Sequence, residues 1–180
     1  LALNTKIDVA EGATLGLPNT ISGAGHVAKT GPGIVVLGGA NTHTNFTDVY
    51  EGTLAVTNAG ALGATAKGTY VDPGATLQLA GVAIPAEEDV GIEGNGSAGN
   101  GALRVNGGTA TVALLIGDDG ATIRVDAGTL NLPQGLHPDG TADVRKTGAG
   151  TLLVGGQSTF NAALAIEGGE VSLRGDFDGT

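Results

Sequence analysis

The sequence has no cysteine, no tryptophan and no methionine. Without cysteine there is no disulfide framework and no thiolate metal site. No stray thiol can oxidise either, which is compatible with export. Aromatic residues are scarce, with three Phe and two Tyr in 180 residues. The interior therefore has to be filled by Ala, Val, Leu and Ile. Basic residues are few: eight Lys plus Arg stand against 18 Asp plus Glu, a formal charge of −10. A nucleic-acid binder needs a basic face, and these scattered cations do not supply one. There is no signal peptide and no apolar run of the length a membrane helix needs. Helix signals are poor too. Glycine or proline interrupts nearly every window of helical length, and each interior glycine costs roughly 1 kcal/mol against alanine.

What is present is glycine, 34 of it, in a chain that is still 41% hydrophobic. That hydrophobicity is too high for a disordered chain, and the glycines lack the period of three that marks collagen. β-branched residues between glycine turns suit many short strands. Ile7 and Val9 alternate, Glu11-Gly12 turns, and Leu15 and Leu17 follow. Pro18-Asn19 ends that strand, and Ser22-Gly23-Ala24-Gly25 reads as a loop. Asp72-Pro73-Gly74 is a turn before Thr76 to Leu79. Ile84 to Asp89 is the most charged stretch and reads as an exposed loop. Asn95 to Gly101 reads as a loop leaving the body, or as a boundary between two units. Leu103 and Val105, then Ile123 and Val125, then Leu130 and Leu132 restore the alternation.

One stretch comes back. Lys29-Thr30-Gly31-Pro32-Gly33 opens a segment ending at Val56, and Lys146-Thr147-Gly148-Ala149-Gly150 opens a second, 117 residues later. Without a gap, Gly38-Gly39 falls on Gly155-Gly156, Val49 on Ile166, Gly52 on Gly169, Leu54 on Val171 and Val56 on Leu173. The likeness reaches back to Ile7-Asp8-Val9 against Ile123-Arg124-Val125, and to Thr14–Pro18 against Thr129–Pro133. Residues 7–56 and 123–173 thus read as two copies of one unit, and the whole chain, 1–180, as one segment. Hairpin signals are sparse and the repeat is directional. This favours a β-solenoid over a sandwich or barrel, namely a right-handed single-stranded parallel β-helix. Coils of roughly 20–25 residues would give about eight. The chain opens at Leu1 in strand-like sequence. It is expected to be a fragment of a longer protein, with any membrane anchor outside it.

At Lys29–Val56 and Lys146–Leu173 the sequence resembles the passenger-associated repeat of bacterial autotransporters. That pattern runs Lys-Thr-Gly-x-Gly, then alternating leucines, Gly-x-Asn, and finally Val-x-x-Gly-x-Leu-x-Val. Thr147 to Val154 carries the closer match in its first half, and Gly38 to Thr42 with Val49 to Leu54 in its second. Asn58 to Gly63 is similar to the segment that commonly follows. His43 stands where the family usually has Tyr, and Asn45-Phe46 and Asn161-Ala162 replace its Gly-Gly. The resemblance implies a β-helix stalk at the bacterial cell surface or secreted from it. Its implied partners are host or matrix surfaces, glycans or sister molecules, and its implied anchor is an outer-membrane segment not present here.

β-Helix enzymes that act on polysaccharides need carboxylates projecting from neighbouring coils, which makes Glu87, Glu88 and Asp89, and Asp118 with Asp119, the catalytic candidates. Both groups sit in turn sequence with no basic partner at the matching position of the other copy, so solvated loops are expected. Asp118-Asp119-Gly120 and Asp176-Phe177-Asp178-Gly179 fit neither the EF-hand loop nor the calcium nonapeptide. His26, His43 and His137 lack metal spacing and are expected on surface loops. Serine and histidine are too far apart in sequence to suggest a triad. Lys29 and Lys146 are expected as charged corner residues, with a repeated anion or glycan contact as their functional alternative. Asn45-Phe46-Thr47 and Asn95-Gly96-Ser97 match the glycosylation sequon by composition alone. The expectation is a non-catalytic structural or adhesive stalk segment with no cofactor and no metal. A polysaccharide-active enzyme or a glycan-binding module is the alternative.

Overall fold

The computed structural model describes residues 4–118, 120–138, 143–160 and 163–179. Strands of two to five residues follow one another, broken by glycine turns. The helical turn Ser97–Gly99 is the one helical element among these residues. No helix there is long and apolar enough to cross a membrane. Every strand pairing among the described residues is parallel. Paired residues lie from 19 apart, as Ile34 and Thr53, to 28 apart, as Ala83 and Thr111. One lap of the chain therefore takes about that many residues, and about eight laps stack into a β-solenoid. The longest lap is the one that contains Asn95 to Gly101.

Three faces wrap the stack. The first carries Asn4–Asp8, His26–Thr30, Thr47–Val49, Thr69–Val71, Asp89–Glu93, Leu114–Asp118 and Gly135–Pro138. Gln157–Phe160 packs below the last of these and pairs with Asp176–Gly179. The second face is an unbroken ladder of eight strands: Thr14–Leu17, Ile34–Leu37, Gly52–Val56, Ala75–Leu79, Leu103–Val105, Thr122–Val125, Val144–Thr147 and Leu164–Ile166. The third face starts with Ser22–Gly23 and Thr42–His43 and runs through turns in the next two laps. It ends as Thr109–Thr111, Thr129–Leu132, Thr151–Val154 and Glu170–Leu173. Ser22-Gly23, expected as a loop, is thus a short strand.

The core follows from strand parity. Alternate side chains point inward, and parallel register places each above its counterpart in the next lap. On the second face Leu15, Val35, Leu54, Leu77, Leu103 and Ile123 form one column, and Leu17, Leu37, Val56, Leu79, Val105 and Val125 the next. From the second lap down these residues are fully buried. Burying one such side chain is worth about 1.5–3 kcal/mol. Leu15, by contrast, is 39% exposed at the top of the stack, and Ile166 and Leu173 are 56% and 50% exposed at the bottom. They belong to the first and last described laps.

The two recurring blocks occupy different faces. Lys29 lies on the first face, between Ile7 and Val49. Lys146 lies on the second, between Ile123 and Ile166. The strands after them shift in step: Ile34–Leu37 is on the second face, but Thr151–Val154 is on the third. The spacing of 117 residues is five laps and one face.

Candidate functional site

Polar residues interrupt the aliphatic columns at a few places, and those places hold most of the polar chemistry. Lys29 and Lys146 are the largest intrusions, and both are fully buried. The Lys29 ammonium donates to the carbonyls of Thr30 at 2.9 Å, Gly31 at 2.6 Å and Glu51 at 2.9 Å. The Lys146 ammonium donates to Thr147 at 2.8 Å, Gly148 at 3.0 Å and Gly168 at 3.0 Å. An ammonium has three donors, and each is used. In both copies two acceptors belong to the turn after the lysine and the third to the lap below, so the lysine staples two laps. Glycine follows from this arrangement. A Cβ at Gly52 would lie 2.8 Å from the Lys29 nitrogen, and one at Gly169 would lie 2.9 Å from that of Lys146; both glycines have φ of +71°. The Lys-Thr-Gly and the later Gly-x-Leu are two halves of one device. Burial pushes both lysines below their ordinary pKa, against the pull of the Glu51 and Asp8 carboxylates at Lys29. Both lysines do flank a corner before a strand, but each charge is shut away from solvent, so the alternative of a repeated anion or glycan contact is overturned.

A second staple recurs with the first. Asn41 accepts from the Ile21 amide at 2.7 Å and donates to the Ala61 carbonyl at 2.5 Å, joining three laps. Ser158, at the matching position of the second block, accepts from the Leu136 amide at 3.1 Å. That bond gives the buried serine a structural role.

His43 and Glu88 also depart from expectation. His43 is not on a surface loop but fully buried in a strand of the third face. Thr47 spends its one hydroxyl proton on the Leu62 carbonyl at 2.8 Å. The 2.9 Å contact between His43 Nε2 and the Thr47 hydroxyl is therefore donated by the imidazole, which is neutral with Nδ1 bare. Burial pushes its pKa down, opposed by the Leu62 backbone. Glu88 lies at 1% exposure, while Glu87 and Asp89 on either side are exposed. Its Oε1 accepts from the Thr69 hydroxyl at 2.6 Å, and Oε2 has no hydrogen-bond partner. Burial pushes the carboxyl up to about 7, helped by Asp89 and opposed by the Thr69 hydrogen bond. Thr47 and Thr69 are register neighbours in the column Val27, Thr47, Thr69, Val90. One corner of the core is thus polar over three laps.

The outward side is different. Asp126 is shared by Arg104 at 2.7 Å and Arg124 at 2.5 Å, which stand on successive laps of the second face. Burial works against its ionisation, but the two guanidinium groups hold its pKa below the ordinary value. Asn95 to Gly101 neither leaves the body nor divides it. It folds back on the second face through the Ser97 amide to the Thr76 hydroxyl at 2.9 Å and the Thr122 hydroxyl to Asn95 at 2.9 Å. Beside it is a polar cleft of about 300 Å³ lined by Asn95, Gly99, Thr122, Arg145, Thr147 and Glu167. On the first face His26 Nδ1 lies 3.2 Å from Asp48. His137 is half-buried on the same face, in Gly135–Pro138. Glu87, Glu88 and Asp89 do not converge, since only Glu88 turns inward. Asp119 and the side chain of Asp118 lie outside the described residues, as do the side chains of Phe177 and Asp178. No group of three or more His, Asp or Glu among the described residues is placed to hold a metal ion.

Residues 27–56 and 144–173 match the family model of the passenger-associated-transport-repeat. These spans contain both lysine staples and their glycines. Over 186 aligned residues the chain is 33% identical to the Adhesin BmaC autotransporter of Brucella suis biovar 1 (strain 1330). The match covers 99% of this chain and 5% of that relative, so the chain spans a small part of the protein it resembles. No solved structure matches.

Proposed function

We infer that this chain, which carries the passenger-associated-transport-repeat twice, is a non-catalytic adhesive segment of a surface-displayed rod. It works at the cell surface or outside the cell. The observation that carries the reading is the use made of the recurring polar residues. Lys29, Lys146, Asn41 and Ser158 all turn inward and spend their hydrogen bonds joining one lap to the next. That is the chemistry of a stiff body. Glu87, Glu88 and Asp89 do not face one bond together, as paired carboxyls that cleave a polysaccharide must, since only Glu88 turns inward. About eight laps at about 4.8 Å each make a body roughly 40 Å long. Displayed on a non-adherent carrier cell, the segment should raise attachment to glycan- or matrix-coated surfaces, and it should release no reducing sugar from polysaccharides. Sugar release that disappears in Asp89→Asn would replace this reading with the enzyme.

A further inference from the structure

Three of the five aromatic residues, Phe46, Tyr50 and Tyr70, lie together on one side of the stack. Tyr70 points outward from the first face, in the column Ala28, Asp48, Tyr70, Gly91. The edge of its ring abuts the glycine below: a Cβ at Gly91 would fall 2.9 Å from Cδ1 and 3.3 Å from Cε1 of Tyr70. Backbone supports that edge, and nearly half of the residue remains exposed. Phe46 flanks it at a centroid distance of 5.7 Å and a tilt of 58°, with the Lys67 ammonium 5.8 Å from the Phe46 centroid. Asp48, in the lap above Tyr70, lies 3.2 Å from His26 Nδ1, and its carboxylate raises the pKa of the nearby Tyr50 phenol. Tyr50 and Tyr70 are 45% and 44% exposed, large values for rings in a chain with so few.

The solenoid does not need these residues. The second block has Asp143, Ala163, Ala165 and Glu167 where the first has His26, Phe46, Asp48 and Tyr50. Yet it forms the same lysine staple. The cluster is an addition to the repeat, placed on one copy and facing outward.

We propose that this cluster binds a neutral glycan, with one pyranose ring stacked on Tyr70 and its rim hydroxyls bonded to Asp48 and the Tyr50 hydroxyl. A pyranose offers a flat C–H face surrounded by hydroxyl groups; the site offers a flat ring bordered by a carboxylate, a phenol and an imidazole. Hydrogen bonds to an ionised carboxylate are the stronger kind, and few are needed to orient a ligand on an aromatic platform. Acidic glycans are disfavoured, because Asp48 and Asp72 border the ring and the chain carries a net charge of −10. A protein partner would need a wider apolar patch than two half-exposed tyrosines between carboxylates. The proposal rests on the adhesive reading above and names its ligand class. Failure to bind sugar would remove the ligand and leave attachment to protein-coated surfaces as a separate test of adhesion.

The chain has two tyrosines and no tryptophan, so its ultraviolet emission comes from Tyr50 and Tyr70 alone. Tyrosine emission is followed while adding maltohexaose, cellohexaose, laminarihexaose, galactan and mannan oligosaccharides, and in parallel hexagalacturonate and an oligolysine peptide. At least one neutral sugar should give a saturable change. Followed by calorimetry, Tyr70→Ala should weaken that binding at least tenfold and Asp48→Asn several-fold. Ile34→Ser, on the second face, should leave it unchanged. Gly91→Ala pushes the Tyr70 ring off the sheet without deleting it and should also weaken binding, which keeps the test open if Tyr70→Ala folds poorly. No saturation by any neutral sugar, binding of hexagalacturonate or oligolysine alone, or full affinity in both the Tyr70 and Gly91 variants would overturn the proposal.

Discussion

Replacing Glu88 with glutamine should remove a pH dependence of stability that this one carboxyl imposes. Glu88 is buried, shares its Oε1 with the Thr69 hydroxyl and leaves Oε2 unpartnered. Its pKa rises from an ordinary 4.5 to about 7 in the folded chain. A raised folded pKa means that the native state holds the proton more tightly than the unfolded state does. The resulting stabilisation is complete below pH 4.5 and is lost as pH climbs through 7. At about 1.4 kcal/mol per pH unit the full effect is about 3 kcal/mol, most of it lost between about pH 5 and 8. For a chain of this size each kcal/mol moves the melting temperature by about 2–4 °C, so the contribution is about 5–10 °C. Asp48 and Asp72 also have raised pKa values, through burial, and slope the native curve the same way. The informative quantity is therefore the difference between native protein and Glu88→Gln. Glutamine keeps the size and the acceptor for Thr69 without the ionisation. Urea and thermal unfolding at half-unit steps across this range should show the variant gaining on the native protein as pH rises. Parallel curves would refute the reasoning and place the Glu88 carboxylate in water.

Lys29→Met and Lys146→Met should each cost about 2–3 kcal/mol by urea unfolding, because three carbonyls lose a shared buried donor; Lys67→Met, on the surface, should cost almost nothing. Gly63→Ala should cost more than about 2 kcal/mol, since its φ is +95° and the new Cβ would lie 2.5 Å from the His43 ring. Asn41→Ala strands the Ile21 amide and the Ala61 carbonyl; it should cost about 2 kcal/mol and raise amide exchange at Ile21. Spin labels on cysteines introduced at Ile34 and Arg145, both on the second face, should be separated mainly along the stack. The pair Ile34 and Thr151, at matching repeat positions, should be further apart because it also crosses the body.

Much of the stack was legible because strand parity is local. Leu77 and Leu79, Leu103 and Val105, and Ile123 and Val125 announce their inward faces within five residues, and the glycines between them announce the turns. Lys29 was misplaced for a physical reason. A lone buried ammonium is costly, so a lysine beside a Thr-Gly turn reads as exposed. Its host is three backbone carbonyls, one of them 22 residues downstream, and backbone acceptors leave no mark in a sequence. Parity did carry a hint: Lys29 is two residues from Val27 and Lys146 two from Val144, and each pair points inward together. His43 and Glu88 failed in the same way. The hydroxyl that meets His43 is four residues away, but the one that satisfies Glu88 is 19 away, in the previous lap. The Phe46, Asp48 and Tyr70 neighbourhood was equally hidden, since it exists only once the lap length is known.

Lap length explains why the two blocks do not sit above one another. Inward columns require each lap to return to register, but nothing fixes how many residues the turns use, and the described laps span 19 to 28. The 117 residues from Lys29 to Lys146 therefore reach register five times and overrun by one face. The lysine staple tolerates this, because its three acceptors lie in its own turn and in the lap below; it needs a neighbouring lap, not a particular face. The same independence frees the outward side chains. A block moved one face around the axis presents its surface in a different direction while its inward chemistry is unchanged. The first block can then carry Tyr50 and Asp48 on one side of the rod while the second carries Glu167 and Ala165 on another. The joining of laps is written in the residues that recur, and the outward surface in those that do not.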